Sequence, residues 1–125
     1  MEHLNGGDLY DYLEKRNFKI SESRARELFA ELTSALFYLH AFGVVHRDIK
    51  LENILMTDTS NQAITKINDF GLAAILAPHE RADEKVGSLN YAAPELLKGE
   101  PYDKRIDIWS LGIVFFTLLV GYLPF

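Results

Sequence analysis

Three polar residues with complementary chemistry lie close together near the middle of the chain: Asp48, Lys50 and Asn53. The carboxylate of Asp48 could accept a proton from a hydroxyl group, and the ammonium group of Lys50 could neutralise phosphate oxygens. The side-chain amide of Asn53 could offer its oxygen to a hard cation such as Mg²⁺. Phosphoryl transfer needs positioning and charge neutralisation more than covalent help, so these residues are candidates for that chemistry.

A second acidic residue, Asp69, could join this group if the chain turns back on itself. Residues 54–56 and 63–67 are strand-like, and the intervening residues 57–61 are rich in turn formers. Pairing of the two strands in a small hairpin would bring Asp69 back towards Asn53 as a second oxygen ligand.

Two helices are predicted ahead of the hairpin. Apolar residues at helical spacing predict a short helix that ends near Asn17: Leu9, Tyr12 and Leu13. Ser21 is a candidate N-cap for a longer amphipathic helix, and Gly43 is its candidate end. The apolar face of this longer helix follows the i, i+3, i+4, i+7 template: Ala25, Leu28, Phe29, Leu32, Ala35, Leu36 and Leu39. We therefore expect a mainly α-helical fold with a small β-hairpin.

The remaining stretches are a short strand, a loop and an apolar run. Residues 44–45 are β-branched and predict a short strand, whereas residues 74–89 have no sustained period and predict a long surface loop. Residues 108–125 are uncharged and mostly apolar, close to the minimum length of a transmembrane helix. Asp107 at the head of this run, helix breakers near its end and the lack of flanking basic residues favour a buried core helix instead.

Composition restricts the classes of partner and the cellular compartment. The chain has 125 residues, of which 48% are hydrophobic and 25% are charged, as in one globular domain. A net charge of -5 disfavours nucleic acid and anionic membranes as partners, because both favour basic patches. The absence of cysteine excludes a disulfide framework and a thiolate metal site, and is compatible with a cytoplasmic location.

Four motifs in order resemble those of the eukaryotic protein kinase family, in its serine/threonine form. The run from His46-Arg47-Asp48 to Asn53 resembles the family's catalytic loop, and Asp69-Phe70-Gly71 resembles its metal-binding motif. Ala93-Pro94-Glu95 resembles the end of its activation segment, and the run 107–112 resembles the start of its buried central helix. Each motif alone is weak evidence, but the ordered set is specific and covers nearly the whole chain. It implies that residues 1–125 are a partial C-terminal lobe of an α+β kinase fold, and runs 87–95 and 121–125 look closest to the calcium/calmodulin-dependent and AMP-activated group.

The resemblance implies roles for the central residues. Asp48 would be the catalytic base, Lys50 would contact the γ-phosphate of ATP, and Asn53 and Asp69 would hold Mg²⁺. Arg47 would reach towards the activation loop.

For the nucleotide, the resemblance places Glu2 and Leu4 beside adenine, Asp8 beside the ribose and Leu55 beneath adenine. Leu55 could equally be a core leucine, and Asp8 a favourable charge in the first turn of a helix.

Further residues would support the site. Phe70 and Gly71 belong to the metal-binding motif and Glu95 closes the activation segment. Asp107 would brace the catalytic loop through backbone hydrogen bonds, or serve as a helix N-cap. Ser88 would bridge towards Asp48 and Lys50, or be a turn serine bonded to its own backbone.

The activation loop and the substrate site lead to two hypotheses. Residues 70–86 contain no Ser, Thr or Tyr, so Glu84, or Asp83, could replace a loop phosphate by pairing with Arg47, unless these acids are simply solvated. Asp8 and Glu52 occupy places where basophilic kinases bind substrate arginines, which predicts basic residues upstream of the phosphorylated residue.

Other parts of the family's pattern are not found in the chain: the glycine-rich loop, the strand lysine with its glutamate partner, and the arginine that pairs with the residue equivalent to Glu95. We therefore keep two functions open. One is an active protein serine/threonine kinase, of which this chain is a fragment. The other is a non-catalytic remnant that acts as a binding module. A small membrane protein anchored by residues 108–125 is disfavoured.

Overall fold

The computed structural model describes residues 4–125, and these form helices with short strands between them. The α-helices are α1 (Leu9–Glu14), α2 (Glu22–Ala41), α3 (Pro94–Leu97) and α4 (Arg105–Val120). The strands are β1 (Val44–Val45), β2 (Ile54–Met56), β3 (Thr65–Ile67) and β4 (Ala74–Ile75), and single 3₁₀ turns cover Leu51–Asn53 and Leu89–Tyr91. The predicted mainly helical fold with a small hairpin is confirmed.

Helix α1 begins with a reciprocal cap. The Asp11 backbone N–H donates to Asp8 Oδ1 over 2.8 Å, and the Asp8 N–H donates to Asp11 Oδ2 over 3.3 Å. The helix ends at Glu14 rather than near Asn17. Asn17 and Phe18 have φ values of 55° and 56°, in the left-handed region that a right-handed helix cannot continue through.

Helix α2 has the predicted ends. Ser21 Oγ accepts a hydrogen bond from the Arg24 backbone N–H over 3.1 Å. Gly43, two residues beyond the last helical residue, has a φ of 76° and so turns the chain into β1. The helix therefore delivers the chain directly to the catalytic-loop motif.

Strands β2 and β3 form the predicted antiparallel hairpin. Ile54 pairs with Ile67 and Met56 pairs with Thr65. Ile54 and Met56 are fully buried, whereas Leu55 faces the opposite side of the hairpin and is half-buried. The hairpin thus presents one side to the core and leaves Leu55 at a partly open surface.

The prediction that residues 74–89 form only a loop is wrong at its start. Residues 74–75 are strand β4, which pairs with β1 in antiparallel register, Val44 opposite Ile75 and Val45 opposite Ala74. Two residues are too few to show a period of two, and the pairing comes from a partner some thirty residues away along the chain.

Helices α2 and α4 pack together in the main core, where the Phe29 and Phe115 rings stack at 4.2 Å. Leu111, Val114 and Leu118 face the core, but Ile108 and Leu119 are about half exposed. The predicted core helix is therefore buried along one face. No helix within the described range 4–125 is long and apolar enough to cross a membrane.

A second, smaller core lies beneath the loop that follows β4. It contains Val45, Ala93, Leu96, Tyr102 and Ile106. This cluster joins β1 to the segment that precedes α4.

Candidate active site

Asp107 joins the start of α4 to the catalytic-loop motif. Its carboxylate is 1% exposed and accepts the backbone N–H groups of His46 (2.8 Å) and Arg47 (2.9 Å). The alternative of an N-cap is wrong, because Lys104 is the N-cap of α4 and Asp107 lies in the first turn. Buried carboxylates are stable only when donors saturate them, and here the donors belong to the site.

The third donor to Asp107 is His40, which the sequence analysis missed. His40 Nε2 donates to Asp107 Oδ2 over 2.9 Å, and the His40 side chain is 8% exposed. The histidine lies one turn beyond Leu36, on the buried face of α2. A polar residue in line with an apolar stripe was the signal that could have indicated a buried partner.

His46 ties the two polar loops of the site together. It is fully buried, its Nδ1 accepts the Asp48 backbone N–H (3.1 Å), and its Nε2 donates to the carbonyl of Asn68 (2.8 Å). These roles correspond to the neutral imidazole. The Phe70 ring contacts the His46 ring edge-on at 5.1 Å, so both loops rest on this histidine.

The Asp48 carboxylate is the centre of a side-chain network. Ser88 Oγ donates to Asp48 Oδ1 over 2.9 Å, and Asn53 Nδ2 donates to Asp48 Oδ2 over 3.1 Å and to the Asp48 carbonyl over 2.8 Å. Lys50 Nζ donates to Ser88 Oγ over 3.0 Å and lies 3.9 Å from Asp48 Oδ2. The structure therefore brings these four residues together, and Ser88 is not a turn serine bonded to its own backbone.

Asn53 and Asp69 are brought together by the hairpin. The Asn68 N–H donates to the Asn53 carbonyl over 2.8 Å, which places Asp69 beside Asn53. Because the Asn53 amide nitrogen is bonded to Asp48, its amide oxygen points away from that carboxylate. Asp69 is exposed, and among residues 4–125 its Oδ1 accepts only the Gly71 N–H, over 3.2 Å.

These two oxygen donors fit a hard cation such as Mg²⁺. Within residues 4–125, no group of three or more His, Asp or Glu residues is arranged as a metal cage. Mg²⁺ commonly takes one or two protein ligands and completes its shell with phosphate and water, so a pair of donors is sufficient. Asp69 also has a φ of 58°, a strained conformation that is common at functional sites.

Of the residues expected near the nucleotide, Asp8 lies beside Leu55 of the hairpin. Asp8 and Leu55 form an isolated β-bridge, and Leu4 is half-buried, whereas Glu2 lies outside the described residues. Burial is the largest cause that raises the pKa of Asp8, and the negative charges of Asp11 and Glu52 raise it further against the lowering effect of the Asp11 N–H.

Glu52 is exposed beside this acidic group. Its carboxylate is close enough to act on Asp8, and also on Tyr91, whose pKa is raised to about 12, mainly by burial and then by the Glu52 charge. Asp8 and Glu52 therefore form one region of negative potential near the catalytic loop.

Arg47 faces away from Asp48, towards the loop that follows β4. Its Nε donates to the Leu72 carbonyl (2.7 Å), and its Nη1 donates to Glu84 Oε1 (3.2 Å) and to the Tyr102 hydroxyl (3.1 Å). Burial works against the charge of Arg47, but the bonds to Tyr102 and Glu84 outweigh it and raise the pKa. Both Asp83 and Glu84 are exposed, but Glu84 is paired with Arg47 rather than simply solvated.

Glu95 is separate from this network. It lies in the first turn of α3, and its side chain makes no hydrogen bond or ion pair with any other residue of the described range.

Gly87 is essential to the close packing of the loop that precedes Ser88. A Cβ on Gly87 would lie 2.5 Å from the Arg47 carbonyl oxygen, and the φ of 98° also favours glycine.

Comparison with known proteins places the whole chain in one family. The model of the protein kinase domain matches residues 1–125. The SNF1-related protein kinase catalytic subunit alpha KIN12 of Arabidopsis thaliana is 42% identical over 125 residues, which are 100% of this chain and 24% of that protein. NUAK family SNF1-like kinase 1 of Mus musculus and of Homo sapiens is 43% identical over 126 residues, 100% of this chain and 18% of each relative.

The chain thus spans a quarter or less of the length of these relatives. The SNF1-like names agree with the AMP-activated group that runs 87–95 and 121–125 resemble. The ordered motifs, the network around Asp48 and the match of the family model over every residue lead to the same assignment: the chain belongs to the protein kinase family, in its serine/threonine type.

Proposed function

We propose that this chain supplies the catalytic part of a protein serine/threonine kinase, which transfers phosphate from ATP to Ser or Thr hydroxyls of proteins. The observation that carries the proposal is the hydrogen bond from Ser88 Oγ to Asp48 Oδ1, at 2.9 Å. It demonstrates that a hydroxyl donor fits against this carboxylate while Lys50 Nζ lies within 4 Å of the same group. A substrate hydroxyl in an equivalent position would face both a base and a cation.

In this proposal, the substrate hydroxyl donates its proton to Asp48 as its oxygen attacks the γ-phosphorus of ATP. The bond from that phosphorus to the β–γ bridging oxygen breaks, and ADP leaves with the bridging oxygen. Asn53 orients the Asp48 carboxylate, and Lys50 neutralises charge on the phosphate oxygens. Bound Mg²⁺, held by Asn53 and Asp69, would supply further charge neutralisation. Asp107 keeps the backbone of the loop in place.

The adenine ring of the nucleotide would lie on Leu55, with Leu4 and Glu2 beside it. Leu55 supports this role because it is directed away from the fully buried Ile54 and Met56. Asp8 would meet the ribose with Oδ2, since its Oδ1 caps α1.

We further propose that the substrate carries basic residues upstream of the phosphorylated residue. The mutual repulsion of Asp8 and Glu52 makes a bound guanidinium group favourable, and this repulsion is one of the causes of the raised pKa of Asp8. A cavity of about 560 Å³, lined by Lys50, Glu52 and Ser88 among others, offers a path for the substrate chain. We also propose a cytoplasmic location, with which the cysteine-free composition is compatible.

The decisive experiment is a calorimetric titration of the chain with ATP and Mg²⁺. Heat of binding is expected for the wild type and should be lost in Asp69→Asn, because the amide is a poorer ligand than the carboxylate. Asp58→Asn is the matched control, since Asp58 is also an exposed aspartate but lies on the far turn of the hairpin. An absence of heat in the wild type would support the alternative, a non-catalytic kinase remnant that acts as a binding module.

A further inference from the structure

The hydroxyl of Tyr102 lies between the catalytic loop and the loop that follows β4. It donates to the Glu84 backbone carbonyl over 2.6 Å and accepts from Arg47 Nη1 over 3.1 Å. The Tyr102 ring is 2% exposed and belongs to the smaller core cluster with Val45 and Leu96. The packed ring therefore fixes the position of the hydroxyl, and the hydroxyl bonds to both loops.

Residues 82–88, which we call the docked segment, are attached at both ends. At the start, Ala82 and Tyr102 exchange two backbone hydrogen bonds of 2.9 Å. Near the end, Gly87 packs directly on the Arg47 carbonyl, and the next residue, Ser88, bonds to Asp48. The position of Ser88 at the candidate base thus depends on how the whole segment lies.

We propose that Tyr102 is a positioning residue whose hydroxyl holds the docked segment on Arg47, so that the loop is closed without covalent modification. Residues 70–86 contain no Ser, Thr or Tyr. No phosphorylated side chain within them can therefore pair with Arg47 and hold the docked segment in place. A neutral hydroxyl accepting from the guanidinium group, with Glu84 as its counter-charge, takes that place. The proposal deepens the proposed function, because it concerns the loop beside the proposed base Asp48.

Trypsin digestion of the native chain tests the proposal, because Lys85 is a trypsin site inside the docked segment. Tyr102→Phe keeps the packed ring but removes both bonds of the hydroxyl, one of them to a cation. We expect about tenfold faster cleavage after Lys85 in this variant, since one such bond alone shifts a local equilibrium by about that factor. Cleavage after Lys19, an exposed residue between α1 and α2, should not change.

Two further variants serve as comparisons in the digestion experiment. Tyr38→Phe removes the hydroxyl of a tyrosine that is 65% exposed, and it should leave cleavage after Lys85 unchanged. Glu84→Gln should raise that cleavage less than Tyr102→Phe, because the backbone carbonyl of Glu84 remains available to Tyr102. Equal cleavage after Lys85 in the wild type and in Tyr102→Phe would overturn the proposal. An equal rise after Lys19 and Lys85 would overturn it too, because the effect would then be global.

Hydrogen exchange of the wild type provides a test that needs no variant. The amides of Ala82 and Tyr102 form one bridge, so they should be protected to a similar degree. Exchange of the Ala82 amide at the rate of an unprotected peptide, with Tyr102 still protected, would contradict a closed loop.

Phosphorylation assays in a preparation whose wild type phosphorylates a peptide separate positioning from general stability once circular dichroism has given the folded fraction of each variant. If Tyr102 positions the loop, Tyr102→Phe should lower kcat per folded molecule and leave KM for ATP unchanged. A lower KM, or an unchanged kcat per folded molecule, would contradict the role. Digestion and exchange report loop position whether or not the chain binds ATP, so failure of the proposed function and failure of this inference give different results.

Discussion

At the scale of single residues, the site depends on carboxylates whose oxygens accept hydrogen bonds from several parts of the chain. Asp48 receives Ser88 and Asn53, and Asp107 receives His40 together with two backbone N–H groups. Charge-assisted bonds of this kind are among the stronger ones in proteins. Removing one of these carboxylates should therefore lower the free energy of unfolding, because the buried groups that donate to it are left without a partner.

Asp107→Asn is expected to lower the free energy of unfolding by about 3 kcal/mol. The amide NH₂ would face one of the N–H groups of His46, Arg47 or His40, and the negative charge would be lost. Urea unfolding followed by circular dichroism measures the change. Asp58→Asn, at an exposed turn, should change stability by less than about 0.5 kcal/mol. Equal stability of the two variants would contradict the buried brace.

At the scale of elements, hydrogen bonds from a buried arginine hold the hairpin turn to the helices. Arg24, which is 9% exposed, donates to the Ala63 carbonyl over 2.7 Å and to the Tyr12 hydroxyl over 3.2 Å. The Tyr12 hydroxyl in turn donates to the Ser60 carbonyl over 2.9 Å. Helices α1 and α2 thereby fix the turn of the hairpin, and the hairpin places Asn53 next to Asp69.

Two arginines in the first part of α2 allow a matched comparison. Arg24→Ala should cost about 3 kcal/mol of unfolding free energy, because a buried carbonyl and a buried hydroxyl lose their donor. Arg26→Ala should cost less than about 0.5 kcal/mol, because within the described part of the chain Arg26 makes only an exposed pair with Glu22 at 2.6 Å. Thermal or urea unfolding would distinguish them, and similar costs for the two variants would argue against the hairpin anchor.

An ion pair between Asp103 and Arg105, at the start of α4, makes the stability of the fold depend on pH. Hydrogen bonds from Arg105 lower the pKa of Asp103 to about 2. Since the unfolded pKa is near 3.9, the stabilising effect of the charged Asp103 is complete above about pH 4 and is lost as the pH falls towards 2. Asp103→Asn should therefore reduce stability at pH 6 and make the unfolding midpoint less sensitive to pH between 4 and 2. Identical pH profiles for both proteins would contradict this pair.

At the scale of the whole molecule, local patterns and long-range contacts were not equally predictable. The strand runs on either side of a turn were enough to predict that Asp69 returns to Asn53. In contrast, the β1–β4 pairing, the His40 bond to Asp107 and the Tyr102 contacts join stretches from 18 to 67 residues apart. Such contacts leave no period in the sequence, because each depends on where the intervening elements pack.

The outer face of α4 carries apolar residues that residues 4–125 leave exposed. Leu118 is 1% exposed and its neighbour Leu119 is 45% exposed. Patches of this kind favour association. Leu119→Gln should therefore reduce concentration-dependent self-association in sedimentation experiments with little loss of stability, whereas Leu118→Ala should cost about 2–5 kcal/mol. Unchanged association of Leu119→Gln would show that another surface is responsible.

The attachment of Arg47 to Asp107 also has a consequence in time. The two residues are 60 positions apart, so the backbone of the catalytic loop has no brace until the start of α4 has been synthesised. At about 5–20 residues per second, that interval lasts roughly 3 to 12 s on the ribosome. During this period the His40 ring and the backbone N–H groups of His46 and Arg47 lack their acceptor, the Asp107 carboxylate. The loop that we propose as catalytic is therefore among the last parts of this chain to reach its working shape.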